Sequence, residues 1–173
     1  MIQMLDPIPV LDTQRLTLRA PRPADLPTLT AFFATTRSHM VGGPRDAQEC
    51  FTSLTSRIGH WAMHGYGLWH IEDRETRDFL GWAGMLNPPH WDEPELGWTL
   101  FAHAEGKGYA FEAARAARAF AAAHQSLDGV ISYIDPANTR SRALAEKLGA
   151  RYERDGKVIG KPCHIWRHPK EAA

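Results

Sequence analysis

Residues 95–120 read ELGWTLFAHAEGKGYAFEAARAARAF, and their reading decides the architecture. Glu95 to Phe101 alternates with the period of a strand. Leu96, Trp98 and Leu100 fall on one face, and Glu95, Gly97, Thr99 and Phe101 on the other. His103 to Gly108 breaks the alternation with two glycines. From Tyr109 onward Ala, Glu, Arg and Phe predominate, a composition that favours helix. A strand, a glycine loop and a helix in that order leave backbone N–H groups unpaired at the helix start. Together with the helix dipole they suit an anion, phosphate above all. Gly106 and Gly108 allow close approach because no side chain stands over the amides. Two known phosphate loops are excluded. The dinucleotide fingerprint fails at Phe111, where its third glycine belongs, and the ATP loop fails at Gly108, where Ser or Thr should follow Lys107. A βα turn whose glycines only tighten the connection stays open as the plainer reading.

Outward from this stretch, composition narrows the class. The chain has 173 residues, 43% of them hydrophobic, which suits one domain with a real core. Lys+Arg and Asp+Glu are both 20, for a formal net charge of +0. That balance gives no basic excess for nucleic acid and no polybasic run for a membrane surface. The N-terminus lacks the basic flank and apolar run of a signal peptide, and no window approaches a transmembrane span. Cys50 and Cys163 make no disulfide framework. The expectation is a cytoplasmic protein with no nucleic-acid or membrane partner.

Taken in order, residues 1–11 form a lead-in and Arg15 to Ala20 a strand. Ala24 to Thr35 is a helix with Leu26, Leu29, Phe32 and Phe33 on one face. Arg37 to Arg45 is a loop, and Asp46 to His64 a second amphipathic helix. Tyr66 to Asp73 and Phe79 to Asn87 read as antiparallel strands around the turn Arg74 to Asp78. The central strand, the glycine loop and its helix follow. Gly129 to Ile134 is a short apolar strand. Asn138 to Gly149 is a helix that Gly149 ends. Arg151 to Asp155 and Lys157 to His168 fit a hairpin with Gly156 at its turn. The element order β-α-α-β-β-β-α-β-α-β-β describes an α/β protein with a mixed sheet, expected as a single domain over residues 1–173 with its core at about residues 11–169.

ELGWTL and EGKGYAFEAARA, followed by DPANTRSRALAEKLGARYERDG at residues 135–156, resemble the GNAT N-acetyltransferase family. The chain is similar in particular to the branch that contains the ribosomal-protein N-terminal acetyltransferases, from about Leu11 to Pro169. The family's Q/R-x-x-G-x-G/A pattern matches at Gly106 and Gly108 and departs at its first position, where His103 stands. The resemblance implies a twisted, mostly antiparallel mixed sheet, helices on both faces and a splayed central strand pair. It implies acetyl-CoA as cosubstrate, its pyrophosphate on the loop amides. The residues implicated are Phe101, His103, Glu105, Gly106, Lys107, Gly108, Tyr109, Ala110, Asn138 and Ser141. Phe101 and its strand would present backbone groups to the pantetheine arm, unless Phe101 is simply core. Lys107 would meet phosphate or solvent, and the Glu105 side chain would point away.

Acetyl transfer to an amine needs a neutral nucleophile, a donor for the developing oxyanion and a proton for the departing thiolate. An α-amino group titrates at about 8 and an aliphatic amine at roughly 10, so a base helps. Glu95 is the candidate base, with His90, Asp92 and Glu93 as competitors; a solvated or Arg-paired carboxylate is the plain alternative. Many members of the family use a Tyr of the last cofactor-facing helix as the acid. This helix has none, which leaves Ser141 as candidate acid or as an ordinary first-turn residue. Asn138 suits a helix N-cap and, by the resemblance, the pantetheine arm too.

No metal is expected. His60 and His64 lie four apart, but HWAMH lacks the Glu of HExxH, and of Cys163, His164 and His168 on one strand, Cys163 and His164 point to opposite faces. Arg37, His39 and Met40, with Trp69, Trp82, Trp91 and Trp98, are candidates to shape the acceptor side. The expected activity is N-acetylation of a primary amine by direct transfer in a ternary complex. The alternative is a non-catalytic acyl-CoA-binding or interaction module. The acceptor stays open, as does monomer or homodimer.

Overall fold

The structure, a computed structural model, describes residues 7–171. Its strands are β1 (Leu11–Asp12), β2 (Leu16–Arg19), β3 (Leu68–Asp73), β4 (Phe79–Leu86), β5 (Glu95–Leu100), β6 (Ile131–Ile134), β7 (Arg151–Val158) and β8 (Lys161–Arg167). The helices are α1 (Leu26–Phe33), α2 (Ala47–His64), α3 (Tyr109–His124) and α4 (Thr139–Lys147). The strands form one sheet in the order β1-β2-β3-β4-β5-β6-β8-β7. Every neighbouring pair is antiparallel except β5 and β6, which run parallel and meet only at Glu95 and Ile131.

Helices cover both faces. On one, α3 turns Ala113, Ala114, Ala117 and Ala121 onto Leu18, Trp69, Met85 and Leu96. Those four alanines are completely buried, and their small side chains bring the helix close to the sheet. On the other face α1 and α2 bring Leu29, Phe32, Phe33, Cys50 and Leu54 against Leu68, Trp82 and Phe101. α2 begins where the sequence placed it because Asp46 and Glu49 cap each other, each side chain taking the other's backbone N–H at 2.8 Å.

Beneath α1 and α2 lies a buried charged network. Asp25 accepts from Arg19 Nη1 and Nη2 at 2.9 and 2.8 Å and from His70 Nδ1 at 2.6 Å. Arg57 Nη1 donates to His70 Nε2 at 2.9 Å, and its guanidinium lies 4.0 Å from the Trp82 ring centroid. Burial would raise Asp25, but the His70 and Arg19 hydrogen bonds outweigh it and hold the carboxyl well below its usual value. Burial, aided by the Arg57 charge, lowers His70 to about 4.

Three local readings change. Residues 36–41, read as loop, form a 3-10 helix, Thr36–Val41. A short strand, β1, stands at Leu11–Asp12 in the lead-in; residues 1–6 of that lead-in lie outside the described residues. The last hairpin turns at Ile159 and Gly160, both with positive φ (48° and 73°), and not at Gly156. Gly156 instead sits inside β7 opposite Cys163, where a Cβ would come within 2.6 Å of Ile165 Cδ1. The glycine there serves packing across the hairpin.

A second fully buried histidine, His168, is lowered to about 4 by burial and then by the Arg118 and Arg167 charges. Both histidines fold neutral, so each contributes stability that is full above the unfolded value of about 6.5 and is lost as pH falls toward 4. Buried Glu95, pushed up to about 7, works in the opposite sense: its contribution is full below about 4.5 and fades as pH rises through 7. Two histidines against one glutamate leave a net loss of roughly 3 kcal/mol on acidification from pH 7 to 4. The thermal midpoint is therefore expected to fall across that range, and more steeply in Glu95→Gln, which lacks the offset. A midpoint that holds or climbs down to pH 4.5 would contradict this assignment.

Candidate active site at the splayed strands

The parallel ladder between β5 and β6 breaks after a single residue pair. Ile131 N donates to Pro94 O at 3.4 Å, and a continued ladder would next pair Tyr133 N with Leu96 O. The strands diverge at that point, and side chains take over. Ser132 Oγ donates to Leu96 O at 2.6 Å, and Tyr133 N donates to Glu95 Oε1 at 3.3 Å. Behind Ser132 stands His168, whose Nε2 donates to Ser132 Oγ at 2.9 Å while its Nδ1 accepts from Arg118 Nη1 at 3.3 Å. Because an arginine can only donate, the proton sits on Nε2. Ser132 and His168 are thus not a nucleophile–base pair; they brace the fork.

Beyond the fork, β5 still pairs with β4. The alternation of that ladder turns the N–H and C=O groups of Leu96, Trp98 and Leu100 away from β4 and toward the gap. Phe101 does not contribute there. Its N–H donates to Leu80 O, its C=O accepts from Ala104 N, and its ring packs among Phe32, Phe79 and Trp82. The backbone groups that face the gap on this strand are those of Trp98 and Leu100, not of Phe101.

The loop after β5 runs through a 3-10 turn, Ala102–Ala104, that holds exposed His103. Gly106 and Gly108 take positive φ of 74° and 80°, a conformation costly for other residues, and Gly108 caps α3. Successive amides in such a loop form a concavity for anions. A Cβ at Gly106 would meet nothing within 4 Å, so the loop is open on its outer side. Lys107 is exposed, and its carbonyl accepts from Arg15 Nη1 at 2.9 Å. Tyr109 and Ala110 open α3, with Tyr109 Oη bonded to Asp73 at 3.0 Å. The Glu105 carboxylate is bound by Arg37 and Arg140. A groove of about 660 Å³ starts at Gly108 and follows α3 past Arg15, Arg115 and Lys147.

Glu95 opens β5 on the face away from α3. Trp91 Nε1 donates to its Oε2 at 2.6 Å, and the Trp91 ring meets Tyr133 edge-on, centroids 5.7 Å apart. Burial raises the carboxyl to about 7; the bonds from Trp91 and Tyr133 oppose the rise without cancelling it. The competitors differ. Glu93 is paired with Arg167 at 2.8 Å, Asp92 lies 3.5 Å from Arg154, and His90 is exposed. Asn138 caps α4, its Oδ1 accepting from Ser141 N at 3.1 Å, and Ser141 is half-buried on the first turn.

Of the four candidate tryptophans, Trp91 is the one that donates a hydrogen bond to Glu95 among the described residues. Trp69 is fully buried and donates to Pro9 O, Trp82 belongs to the aromatic cluster under α1 and α2, and Trp98 packs on the α3 side. His60 is committed to Tyr66 O and Asn87 N. No group of three or more His, Cys, Asp or Glu placed to hold a metal occurs among the described residues. Sequence reasoning missed Ser132, Tyr133 and Arg140, and weighed His168 only as a metal ligand. A small polar residue inside the apolar run GVISYI was the available signal for Ser132.

The comparisons agree with this geometry. The model of the acetyltransferase (GNAT) domain matches residues 15–151. An acetyltransferase structure from Agrobacterium tumefaciens is 34% identical, with a TM-score of 0.87, covering 98% of this chain and 99% of that one. Two more distant structures share the fold. A ribosomal-protein-S5-alanine acetyltransferase from Vibrio fischeri has a TM-score of 0.74 at 14% identity, covering 95% and 98% of the two chains. The ribosomal L7/L12 alpha-N-protein acetyltransferase RimL, in complex with coenzyme A, reaches 0.77 at 14%, covering 94% and 98%. The GNAT family uses acetyl-CoA, and the left-handed glycines of the loop and the strand amides freed by the fork fit such a ligand. With its domain model matched over most of its length, its sheet forked at one parallel pair and its glycine loop leading into α3, the chain belongs to the GNAT acetyltransferase family.

Proposed function

We propose that the protein is an acetyl-CoA-dependent N-acetyltransferase that acts on a primary amine by direct transfer in a ternary complex. The observation that carries the reading is the position of Glu95. A buried carboxyl with a value near 7 stands where the fork begins, upstream of an anion-binding loop. Bound acetyl-CoA supplies an activated thioester. The backbone groups of Trp98 and Leu100 hold its pantetheine arm, and the amides around Gly106 and Gly108 its pyrophosphate. Glu95 is close to half-ionised at neutral pH and takes a proton from the incoming ammonium at a carboxylate oxygen. Ser141 is the hydroxyl we assign to hydrogen-bond the departing thiolate and relay a proton to it from solvent, regaining its own as it does so; a thiol titrates near 8.5, so the thiolate leaves with little help. The acceptor is an amine for which the distant Rim-type relatives suggest protein N-termini as the first class to screen.

Acetyl-CoA at about 100 times its dissociation constant should add roughly 2.7 kcal/mol to stability. The thermal midpoint should then rise by several degrees, while NAD and ATP leave it in place. No rise, or an equal rise with ATP, removes the cofactor assignment. With an acceptor in hand, the rate should increase with pH through about 7 as Glu95 ionises. Glu95→Gln should lower turnover about 10²-fold and abolish that limb. An unchanged profile would make Glu95 a structural brace only, whereas no release of the coenzyme A thiol with any acceptor in a broad panel of amines and N-terminal peptides, with acetyl-CoA still bound, would favour the non-catalytic acyl-CoA-binding module. Ser141→Ala should slow turnover while coenzyme A binding is retained; undiminished turnover would take the acid role from Ser141.

A further inference from the structure

The cofactor loop carries one carboxylate, Glu105, and the fold clamps it between two arginines from distant parts of the chain. Arg37 comes from the turn Thr36–Val41 after α1, and Arg140 from the first turn of α4. Glu105 Oε1 accepts from Arg37 Nη2, and Oε2 accepts from Arg140 Nη1 at 2.6 Å. The loop continues β5 and α4 follows β6, so the pair with Arg140 ties together the continuations of the two diverging strands. Arg37 adds a third segment, on the side of the sheet that α1 and α2 cover.

This arrangement sets two anions in competition. Glu105 is the residue next to Gly106, so a phosphate on the amides of Gly106 and Gly108 would lie close to its carboxylate. Like charges repel, and a guanidinium meets a phosphate with at least the same two-pronged fit that it offers a carboxylate. The present pairs are weak enough to be exchanged: the Arg37 side chain is 40% exposed and that of Arg140 76%. We infer that Arg37 and Arg140 are ligands for the phosphates of the cofactor, held by Glu105 until the cofactor arrives. The inference rests on the acetyl-CoA reading above. Because Arg37 belongs to the turn after α1, its transfer to the cofactor also couples loading of the loop to that turn.

Calorimetric titration of the full chain with coenzyme A tests it, with no acceptor and no turnover. Glu105→Gln removes the competitor, so coenzyme A should bind about three- to tenfold more tightly than to the wild type. That gain should vanish when Arg37→Ala and Arg140→Ala are added. If Glu105 merely braces the loop, Glu105→Gln will bind coenzyme A no better than wild type, and the inference falls while the cofactor assignment stands. If the gain survives loss of both arginines, it is a general effect of net charge, and the inference falls in the same way. If the wild type itself does not bind coenzyme A, the cofactor assignment falls first and takes the inference with it.

Discussion

A parallel ladder that stops after one pair is the constraint on which the rest of this structure depends. Two strands cannot part inside a sheet without leaving backbone groups unpaired, and a buried unpaired group costs as much as a lost hydrogen bond. Here Ser132 covers the carbonyl of Leu96, and Glu95 covers the amide of Tyr133. The groups farther along, on Trp98 and Leu100, are left for something that enters the gap. The fork is thus a site created by interrupting secondary structure. Its price in hydrogen bonds is met by two side chains at the vertex and by whatever occupies the opening.

Glu95 combines both functions of that vertex. A carboxylate that accepts from a backbone amide and an indole N–H would normally be an ordinary ionised group. Burial is what shifts it toward neutrality. Stability and the proposed chemistry meet in one side chain, so altering it calls for a measure of binding beside the measure of rate. His168 and Arg118 show the contrasting case. A serine beside a histidine invites a catalytic reading, yet the arginine on the far nitrogen fixes the tautomer that donates to the serine.

Most of the fold could be read from the sequence because its elements announce themselves locally. The capping box at Asp46 and Glu49, the alternation of Glu95 to Phe101 and the glycine before Tyr109 are all contained within a few residues. The hairpin turn was misplaced because two glycines competed for it. Only the packing of Ile165 across the strands shows that Gly156 is a space and Gly160 the turn. The loop glycines and the N-cap Asn138 were legible for the same local reason. Ser132 and Arg140 were not, since their partners lie 36 and 35 residues away and no local pattern records them. Phe101 was half legible: its alternation placed it on the correct face, but the ladder phase that commits its amide to Leu80 is a property of the pair of strands.

The strand order has a consequence for how the chain finds its shape. From β1 to β5 each strand pairs with the next in sequence, and β7 and β8 close on each other through a two-residue turn. The hairpins β3–β4 and β7–β8 and the pair β4–β5 are local, the kind of contact that forms early and fast, whereas β2 reaches β3 only across α1 and α2. The junction between the two parts is one backbone pair, Glu95 with Ile131, reached only after the crossover through α3. The sheet is in effect two sub-sheets joined by one narrow seam. A change in Ser132 or His168 acts at that seam, so its signature would be a misaligned pair of sub-sheets and a misshapen cleft more than a melted core.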